Sequence, residues 1–316
     1  MIKKQILIVG FGNMGCRHVQ ALLNDKDKYD LHVVEPSKET VENNIGRIGA
    51  TLEDCKWYNS INDLPFIDLA VIATSSAPRF NIVKTLINKG IKYFLLEKIV
   101  FQSVNQFNEI LKLLNENNGR AYCNFVNRYF PVYNEIKGNM AKQEGIEMIV
   151  YGNAFGLGCN AIHYIDIFQY LTGSDEIKIF DSELVTSDSA NRRGDEYKEF
   201  TGTIKVQNRK KDSLAIISDK EFLGGVMISI RTGKLNYVLN EQTQLFFKIE
   251  DNGIIKKRFI MLPTSKLTNI IVSDILKNQC KLTDLESTFR SHNELFDTIN
   301  KHLTGSTSDS RICPIT

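Results

Sequence analysis

The residues most suited to chemistry near the start of the chain form a glycine-rich run. The run is Gly10-Phe11-Gly12-Asn13-Met14-Gly15, which has the spacing G-x-G-x-x-G. In such a run Gly10 permits a tight turn, Gly12 lets the backbone approach a diphosphate, and Gly15 lets a helix pack closely on a strand. Because an apolar run precedes it and a helical pattern follows, the first N–H groups of that helix would face the phosphates. The sequence therefore predicts a dinucleotide-binding turn.

A carboxylate follows the second predicted strand. Glu35 stands there, 25 residues after Gly10. A carboxylate at this place accepts hydrogen bonds from the adenosine ribose and repels a 2′-phosphate, which favours NAD over NADP. Lys38 is close in sequence and weakens that preference, so NADP stays open.

Two further sets of residues suit proton transfer. Glu97 and Lys98 directly follow a predicted strand, and the carboxyl ends of parallel strands line the crevice where ligands bind. His163 and Asp166 are three residues apart in a predicted helix and share a face. An imidazole changes charge near neutral pH, so His163 is suited to accept a hydroxyl proton while Asp166 orients its ring. Charged strand ends and core histidines are also common without a catalytic role.

Short β-branched runs alternate with helical patterns over about the first 125 residues. This alternation indicates βαβ units and a doubly wound parallel sheet. Ser37 is the predicted N-cap of one helix. The predicted strands are 5–9, 31–34, 68–73, 93–96 and 121–126, and other predicted helices are 13–23, 78–89 and 103–117.

The pattern changes beyond about residue 145, where strands are joined by short turns and an antiparallel sheet is indicated. We therefore predict an α/β domain at 1–126 and an α+β domain with an open, mostly antiparallel sheet at 127–316. Residues 187–195 form the most polar predicted loop. The predicted strands are 146–151, 177–184, 200–206, 214–218, 226–230, 243–249 and 254–260, with helices at about 160–171, 265–279 and 284–303.

Composition excludes several classes of function. Lys plus Arg is 39 and Asp plus Glu is 37, so the net charge of +2 gives no reason to expect a nucleic acid or a membrane surface as partner. No apolar run is long enough to span a bilayer. The six cysteines are scattered and read as free thiols, and no histidine or cysteine spacing indicates a metal. A cytoplasmic location is expected.

In order and spacing, these motifs resemble those of the glucose–fructose oxidoreductase / inositol dehydrogenase (Gfo/Idh/MocA) family. Members have the glycine run, an Ala-Thr-Pro-like turn after the fourth strand and Glu-Lys-Pro after the fifth. His163 and Asp166 match the family's His-x-x-Asp. The other matching segments are Ala73-Thr74-Ser75-Ser76, Glu97-Lys98 followed by Ile99 in place of proline, and Asn127-Arg128-Tyr129-Phe130-Pro131.

The resemblance implies a Rossmann domain followed by a substrate-binding and oligomerisation domain. It implies an NAD(P)-dependent oxidoreductase that interconverts a secondary alcohol and a ketone of a carbohydrate. The substrate would be a sugar, a sugar phosphate or a nucleotide sugar, with surface polysaccharide synthesis as one context. A homo-oligomer, dimer or tetramer, is also implied.

The resemblance also suggests roles for residues. Two of these residues have an equally good structural explanation. Arg128 could form an ion pair near the domain boundary, and Asn160 could cap a helix. The implied catalytic residues are Lys98, His163 and Asp166, and the implied substrate contacts are Lys98, Arg128, Asn160 and His163. The implied cofactor contacts are residues 10–15, Glu35, Thr74, Ser75, Ser76, Glu97, Lys98 and Asn127.

Two departures from the family pattern keep other functions open. Cys159 stands where many members have an aspartate that works with the histidine and the lysine, and Arg79 stands where many have a histidine. The first departure puts the family's usual catalytic triad in doubt, and the second bears mainly on the cofactor side. Cys159 and Ile99 together favour a dinucleotide-binding regulator or scaffold without catalysis. A reductase of a non-sugar substrate is a further alternative.

Overall fold

A computed structural model describes residues 2–140, 145–187 and 194–316. Of the loop predicted at 187–195, residues 188–193 lie outside the described part. The chain forms two compact units, and each is described by itself. Unit 1 comprises Met1–Phe101, Asn105–Val126 and Leu262–Leu285, and unit 2 comprises Gln102–Val104, Asn127–Met261 and Glu286–Thr316.

Unit 1 contains a six-stranded sheet in the order β3-β2-β1-β4-β5-β6, in which every neighbouring pair is parallel. Its central strands are continuous apolar runs, and Ile6, Leu7 and Ile8 are wholly buried. Such runs are typical of parallel sheets covered on both faces. The strands are β1 Lys4–Val9, β2 Tyr29–Val34, β3 Lys56–Tyr58, β4 Leu69–Ile72, β5 Tyr93–Leu96 and β6 Arg120–Cys123.

Unit 2 contains an eight-stranded sheet in the order β14-β13-β12-β11-β7-β10-β9-β8. All neighbours are antiparallel except β7 and β10. The strands are β7 Glu147–Asn153, β8 Ile177–Thr186, β9 Phe200–Asn208, β10 Ser213–Asp219, β11 Met227–Thr232, β12 Leu235–Asn240, β13 Leu245–Glu250 and β14 Gly253–Arg258.

Eight α-helices are described in the parts of the chain given above. Ser37 caps the second of them, because its hydroxyl accepts a hydrogen bond from the Thr40 N–H at 3.1 Å, as predicted. The helices are α1 Asn13–Leu22, α2 Lys38–Ile45, α3 Ser76–Asn88, α4 Val104–Glu116, α5 Pro131–Met140, α6 Leu157–Thr172, α7 Thr264–Leu276 and α8 Leu285–Thr304. None of the described helices is long and apolar enough to cross a membrane.

The predicted fold class is confirmed, and the structure adds detail that the sequence did not show. Strands β3 and β12 and helix α5 were not predicted, and the strand predicted at 121–126 ends at Cys123 because Val126–Tyr129 forms a 3₁₀ turn. The predicted division into two continuous ranges also differs from the observed units. The chain returns to unit 1 at Leu262–Leu285, where α7 packs on α1.

Candidate functional site

The glycine run adopts a conformation that requires glycine at two of its positions. Gly10 has φ of +90°, in the left-handed region. A Cβ on Gly15 would lie 1.9 Å from the Gly10 carbonyl oxygen, which no side chain tolerates. A Cβ on Gly12, in contrast, would meet no atom within 4 Å. The turn therefore has no space for a side chain at Gly15, whereas the space beside Gly12 is free.

The loop is anchored by polar side chains from the second βα unit. The Glu35 carboxylate accepts hydrogen bonds from the Phe11 N–H at 2.9 Å and the Ser37 N–H at 3.0 Å. Asn44 donates its amide to the Phe11 carbonyl at 2.8 Å, and Arg47 donates to Asn13 Oδ1 at 3.1 Å. Glu35 thus orders the glycine run itself, and Arg47 brings a cation that the sequence analysis missed.

The residues around this turn fit a dinucleotide. Among the described residues no side chain caps the N-terminus of α1, so its first N–H groups and its positive dipole end suit a diphosphate. Gly12 leaves open space beside them. In the turn after β4, the hydroxyl oxygen of Thr74 is buried and has no hydrogen-bond partner in the described part of the chain. Ser75 is half-buried there, and Ser76 is buried.

Glu97 and Lys98 follow β5 and are both buried, at 7% and 8% exposure. Oε1 of Glu97 lies 3.0 Å from His18 Nε2 and accepts the Asn124 amide at 2.6 Å. Burial by itself raises the pKa of Glu97, but the hydrogen bonds from His18 and Asn124 and the nearby positive charges outweigh it and lower the pKa to about 2. Glu97 is therefore a buried carboxylate that stays ionised.

Arg79 holds the two turns after β4 and β5 together. It is 1% exposed. Its guanidinium donates to the carbonyl oxygens of Thr74, Glu97 and Ile99, and the Lys98–Ile99 peptide bond is cis. The expectation that Arg79 bears mainly on the cofactor is replaced by a structural role, because its donors bind backbone carbonyls within unit 1.

In unit 2, α6 begins at a carboxylate that sequence reasoning missed. Glu199 Oε1 accepts a hydrogen bond from the Gly158 N–H at 2.6 Å. Built Cβ atoms on Gly156 and Gly158 would lie 2.7 and 2.9 Å from this carboxylate. An acidic group at the positive end of a helix is favourable. Glycines just before the predicted helix were the only signal in the sequence.

Arg128 and Asp166 form a bidentate ion pair. Nε and Nη2 of Arg128 lie 2.8–3.1 Å from the two Asp166 oxygens, and the side chains are 14% and 2% exposed. The guanidinium also lies 5.3 Å from the centre of the Tyr170 ring. Of the two interpretations left open for Arg128, the structure shows the ion pair. Orientation of His163 by Asp166 stays a prediction.

The other predicted residues of unit 2 lie on α6 and in the turn after β6. His163 and Asn160 are both half-buried. Asn160 does not cap the helix, since Gly156 occupies the N-cap position and the Asn160 amide donates to the Phe155 carbonyl oxygen. Asn127 is half-buried in the 3₁₀ turn after β6. The structure thus brings Arg128 and Asp166 together, and it places Lys98 in unit 1 and His163 in unit 2.

A half-buried carboxyl group, that of Glu241, contacts α6. The hydroxyl of Tyr164 donates to Glu241 Oε2 at 3.1 Å. Burial raises the pKa of Glu241 to about 7, although the hydrogen bond from Tyr164 opposes the rise. A cavity of about 580 Å³ elsewhere in unit 2, between β8, β9 and α8, contains none of the predicted site residues.

Residues 4–125 match the model of the oxidoreductase family with an NAD-binding Rossmann fold, the Gfo/Idh/MocA family. The family prediction is therefore confirmed for residues 4–125, which form the NAD-binding domain of this oxidoreductase family. No curated protein matches the chain.

Solved structures share the fold at low sequence identity. An oxidoreductase from Agrobacterium radiobacter, in complex with NAD⁺, L-tartaric acid and magnesium, is 12% identical with a TM-score of 0.75, and the match covers 98% of each chain. The UDP-N-acetylglucosamine 3-dehydrogenase GnnA from Acidithiobacillus ferrooxidans is 13% identical with a TM-score of 0.72 over 93% of this chain and 96% of that one. A super-repressor mutant of Gal80p from Saccharomyces cerevisiae is 16% identical with a TM-score of 0.72 over 98% of each chain.

Proposed function

We propose that this protein is an NAD(H)-dependent oxidoreductase that interconverts a secondary alcohol and a ketone on a carbohydrate. The observation that carries the proposal is the glycine turn, open at Gly12, beside an α1 N-terminus that no described side chain caps. The retention of Lys98 and His163 at the family's catalytic positions supports a reaction in addition to binding. Bound NAD would accept the hydride or, as NADH, donate it.

Each catalytic residue has a proposed task. Lys98 donates a hydrogen bond to the substrate oxygen that is oxidised or reduced, and His163 exchanges the hydroxyl proton. Asp166 lies three residues after His163 and is held by Arg128, so we assign it to orientation of the α6 side chains. Asn160 contacts the substrate in this proposal, and Arg128 acts through Asp166.

NAD is the proposed cofactor, because Glu35 places a carboxylate at the end of β2 beside the glycine run. Arg47 and Lys38 bring positive charge to the same region, so the affinity for NADPH should be measured beside the affinity for NADH. The name of GnnA and the family resemblance support a sugar, sugar phosphate or nucleotide sugar as substrate. The proposed location is the cytoplasm.

The test is absorbance at 340 nm with NAD or NADP against a panel of sugars, sugar phosphates and nucleotide sugars. Wild type, Lys98→Ala and Lys92→Ala would be measured together, and Lys92 is the matched control because it is exposed in the same unit. We expect turnover in wild type and Lys92→Ala and none in Lys98→Ala, with NADH binding kept in all three. Turnover undiminished in Lys98→Ala would refute the assigned role.

A regulator that binds a dinucleotide without turning it over is the second candidate. Cys159 supports it, because no aspartate stands at that position of α6, and so does the likeness in fold to a protein whose name describes a repressor. Tight NADH binding with no turnover on any member of the panel would favour this candidate.

We also propose a homo-oligomer, dimer or tetramer, assembled through the outer face of the eight-stranded sheet. Ile149 on β7 is 46% exposed, and its cross-strand neighbours are Ala215 and Ser229. Val238 and Phe247 continue this row on β12 and β13. Light scattering of Ile149→Arg beside wild type tests the interface, and an unchanged mass would exclude it.

A further inference from the structure

Glu241 lies in the turn between β12 and β13, and hydrogen bonds of the turn fix its place. Its own N–H donates to the Val226 carbonyl at 2.9 Å. Beside it, Asn240 Oδ1 accepts hydrogen bonds from the Thr243 N–H at 2.8 Å and the Thr243 hydroxyl at 2.9 Å. The side chain of Glu241 is half-buried and reaches α6, where it accepts a hydrogen bond from the Tyr164 hydroxyl at 3.1 Å. The carboxyl group is therefore held in one position beside α6.

Within the described part of the chain, the groups that act on Glu241 are neutral. Tyr164 on α6 and Tyr133 on α5 interact with it, and burial together with the charge of Glu241 raises the pKa of both tyrosines well above its usual value. No described cation contributes to the pKa of Glu241, which burial raises to about 7 although the Tyr164 hydrogen bond opposes the rise. A half-buried carboxylate without a cation is unfavourable. A ligand with a positive charge would stabilise it.

The residues next to this carboxyl group add an aromatic ring and an amide. The Phe155 ring packs edge-on against the Tyr164 ring, with centres 5.6 Å apart. Asn160 donates its amide to the Phe155 carbonyl oxygen and precedes Tyr164 by four residues, so the two side chains share a face of α6. A carboxylate beside an aromatic ring suits an ammonium group, through charged hydrogen bonds and a cation–π contact. The Glu241 patch consists of the half-buried Phe155, Asn160 and Glu241 with the buried Tyr164.

We propose that the Glu241 patch binds an amino group of the substrate, so that the carbohydrate on which the protein acts is an amino sugar with a free ammonium group. The Glu241 carboxylate accepts hydrogen bonds from the ammonium group, the Phe155 ring lies against the sugar, and Tyr164 holds the carboxylate in place. The patch includes Asn160 and adjoins His163 in sequence, and both are proposed substrate contacts on α6. That the amine belongs to the substrate rests on the proposed function, whereas the affinity of the patch for an amine does not.

Binding of an amine can be tested without turnover. Carbon NMR of protein labelled with ¹³C in the glutamate carboxyl groups would follow the titration of Glu241, whose signal is the one missing in Glu241→Gln. The probes are glucosamine, galactosamine, mannosamine and their phosphate esters, each measured beside the sugar with a hydroxyl in place of the amine, with and without NADH. We expect at least one amino sugar to lower the midpoint by about one pH unit, because a nearby positive charge favours the carboxylate. The corresponding hydroxyl sugar should leave the midpoint unchanged.

Tyr164→Phe is a second variant for this titration. It removes the hydrogen bond that lowers the pKa of Glu241, so we expect the midpoint without a ligand to move upward and the amino sugar still to lower it. The variant identifies the Glu241 signal even if Glu241→Gln does not fold. If no amino sugar lowers the midpoint, or if the hydroxyl sugars lower it equally, the proposal is overturned.

The role in substrate selection is tested by kinetics with the same pairs of sugars, each oxidised with NAD. In wild type we expect kcat/KM for the preferred amino sugar to exceed that for its hydroxyl counterpart by at least about tenfold, which corresponds to one hydrogen bond to a charged group. In Glu241→Gln the ratio should approach about one, because the amide carries no charge. The exposed Glu147→Gln is the matched control and should keep the wild-type ratio.

The outcomes separate this inference from the proposed function. Turnover with the same ratio in wild type and Glu241→Gln would overturn the role of Glu241 and leave the proposed function standing. A midpoint that an amino sugar lowers, without turnover of any sugar, would uphold the amine site and contradict the proposed function.

Discussion

The two units build their parts of the predicted site by different means. In unit 1 the backbone sets the geometry, since Gly10 needs a positive φ and Gly15 has no room for a Cβ. In unit 2 the site is set by side chains from distant segments, such as Arg128 with Asp166 and Glu199 with the Gly158 N–H. A backbone requirement restricts the residue types at neighbouring positions and is therefore visible in the sequence. A pair of side chains from distant segments forms only in the tertiary fold.

Breaking the ion pair of unit 2 should have the largest effect. Arg128→Met leaves the Asp166 carboxylate buried without its cation, so we expect the free energy of unfolding to fall by about 3–5 kcal/mol. Urea unfolding measures the loss. Replacing both residues, with Asp166→Leu as the second change, should restore part of the stability. A loss below about 1 kcal/mol would show that the pair behaves like an exposed one.

The second-largest effect should come from adding a methyl group to the glycine turn of unit 1. Gly15→Ala sets a methyl group 1.9 Å from the Gly10 carbonyl oxygen, and we expect a loss of about 3 kcal/mol together with loss of NADH binding. Gly12→Ala is the matched control, because it has room for a methyl group and should weaken NADH binding while stability changes by only about 0.5 kcal/mol. Equal destabilisation by Gly15→Ala and Gly12→Ala would contradict the conclusion that only Gly15 lacks space for a side chain.

The half-buried Glu241 of unit 2 should make stability depend on pH. The pKa of Glu241 rises to about 7 from 4.5, so the folded state holds this proton more tightly than the unfolded state. Its contribution is fully present below pH 4.5 and is lost as the pH rises to about 7, by about 2–3 kcal/mol. Urea unfolding at pH 5 and pH 8 should show the loss in wild type. Glu241→Gln should lack it, and the exposed Glu147→Gln should retain it.

The smallest effect concerns a helix cap in unit 1. Ser37→Ala removes the acceptor for the Thr40 N–H, and we expect a loss of about 1 kcal/mol in urea unfolding. Ser37→Asp supplies another acceptor and should come close to wild type. If alanine and aspartate lose the same amount, the cap does not stabilise α2.

The fold class and the glycine turn could be predicted because the alternating apolar runs and the spacing of Gly10, Gly12 and Gly15 are local features of the sequence. It did not reveal α5 or the short strand β3, whose patterns are too brief to stand out. Arg79 shows why the site was only partly predictable. Its place in the motif suggested a role on the cofactor side, but its guanidinium is buried and binds the carbonyl oxygens of Glu97 and Ile99, 18 and 20 residues away. Such placement depends on packing that no local pattern encodes.

The return of the chain to unit 1 at Leu262–Leu285 has a consequence for how the protein is made. On the ribosome, residues 2–126 emerge first, yet α1 lacks the helix that covers it until α7 has been synthesised. Leu267, Ile271 and Ile275 of α7 are buried, and His18 has no Thr268 to bond before then. The nucleotide-binding unit therefore matures only after most of unit 2 has left the exit tunnel. A fragment that ends near residue 126 would expose apolar surface, and fusing 262–285 to it is the rational design for an isolated domain.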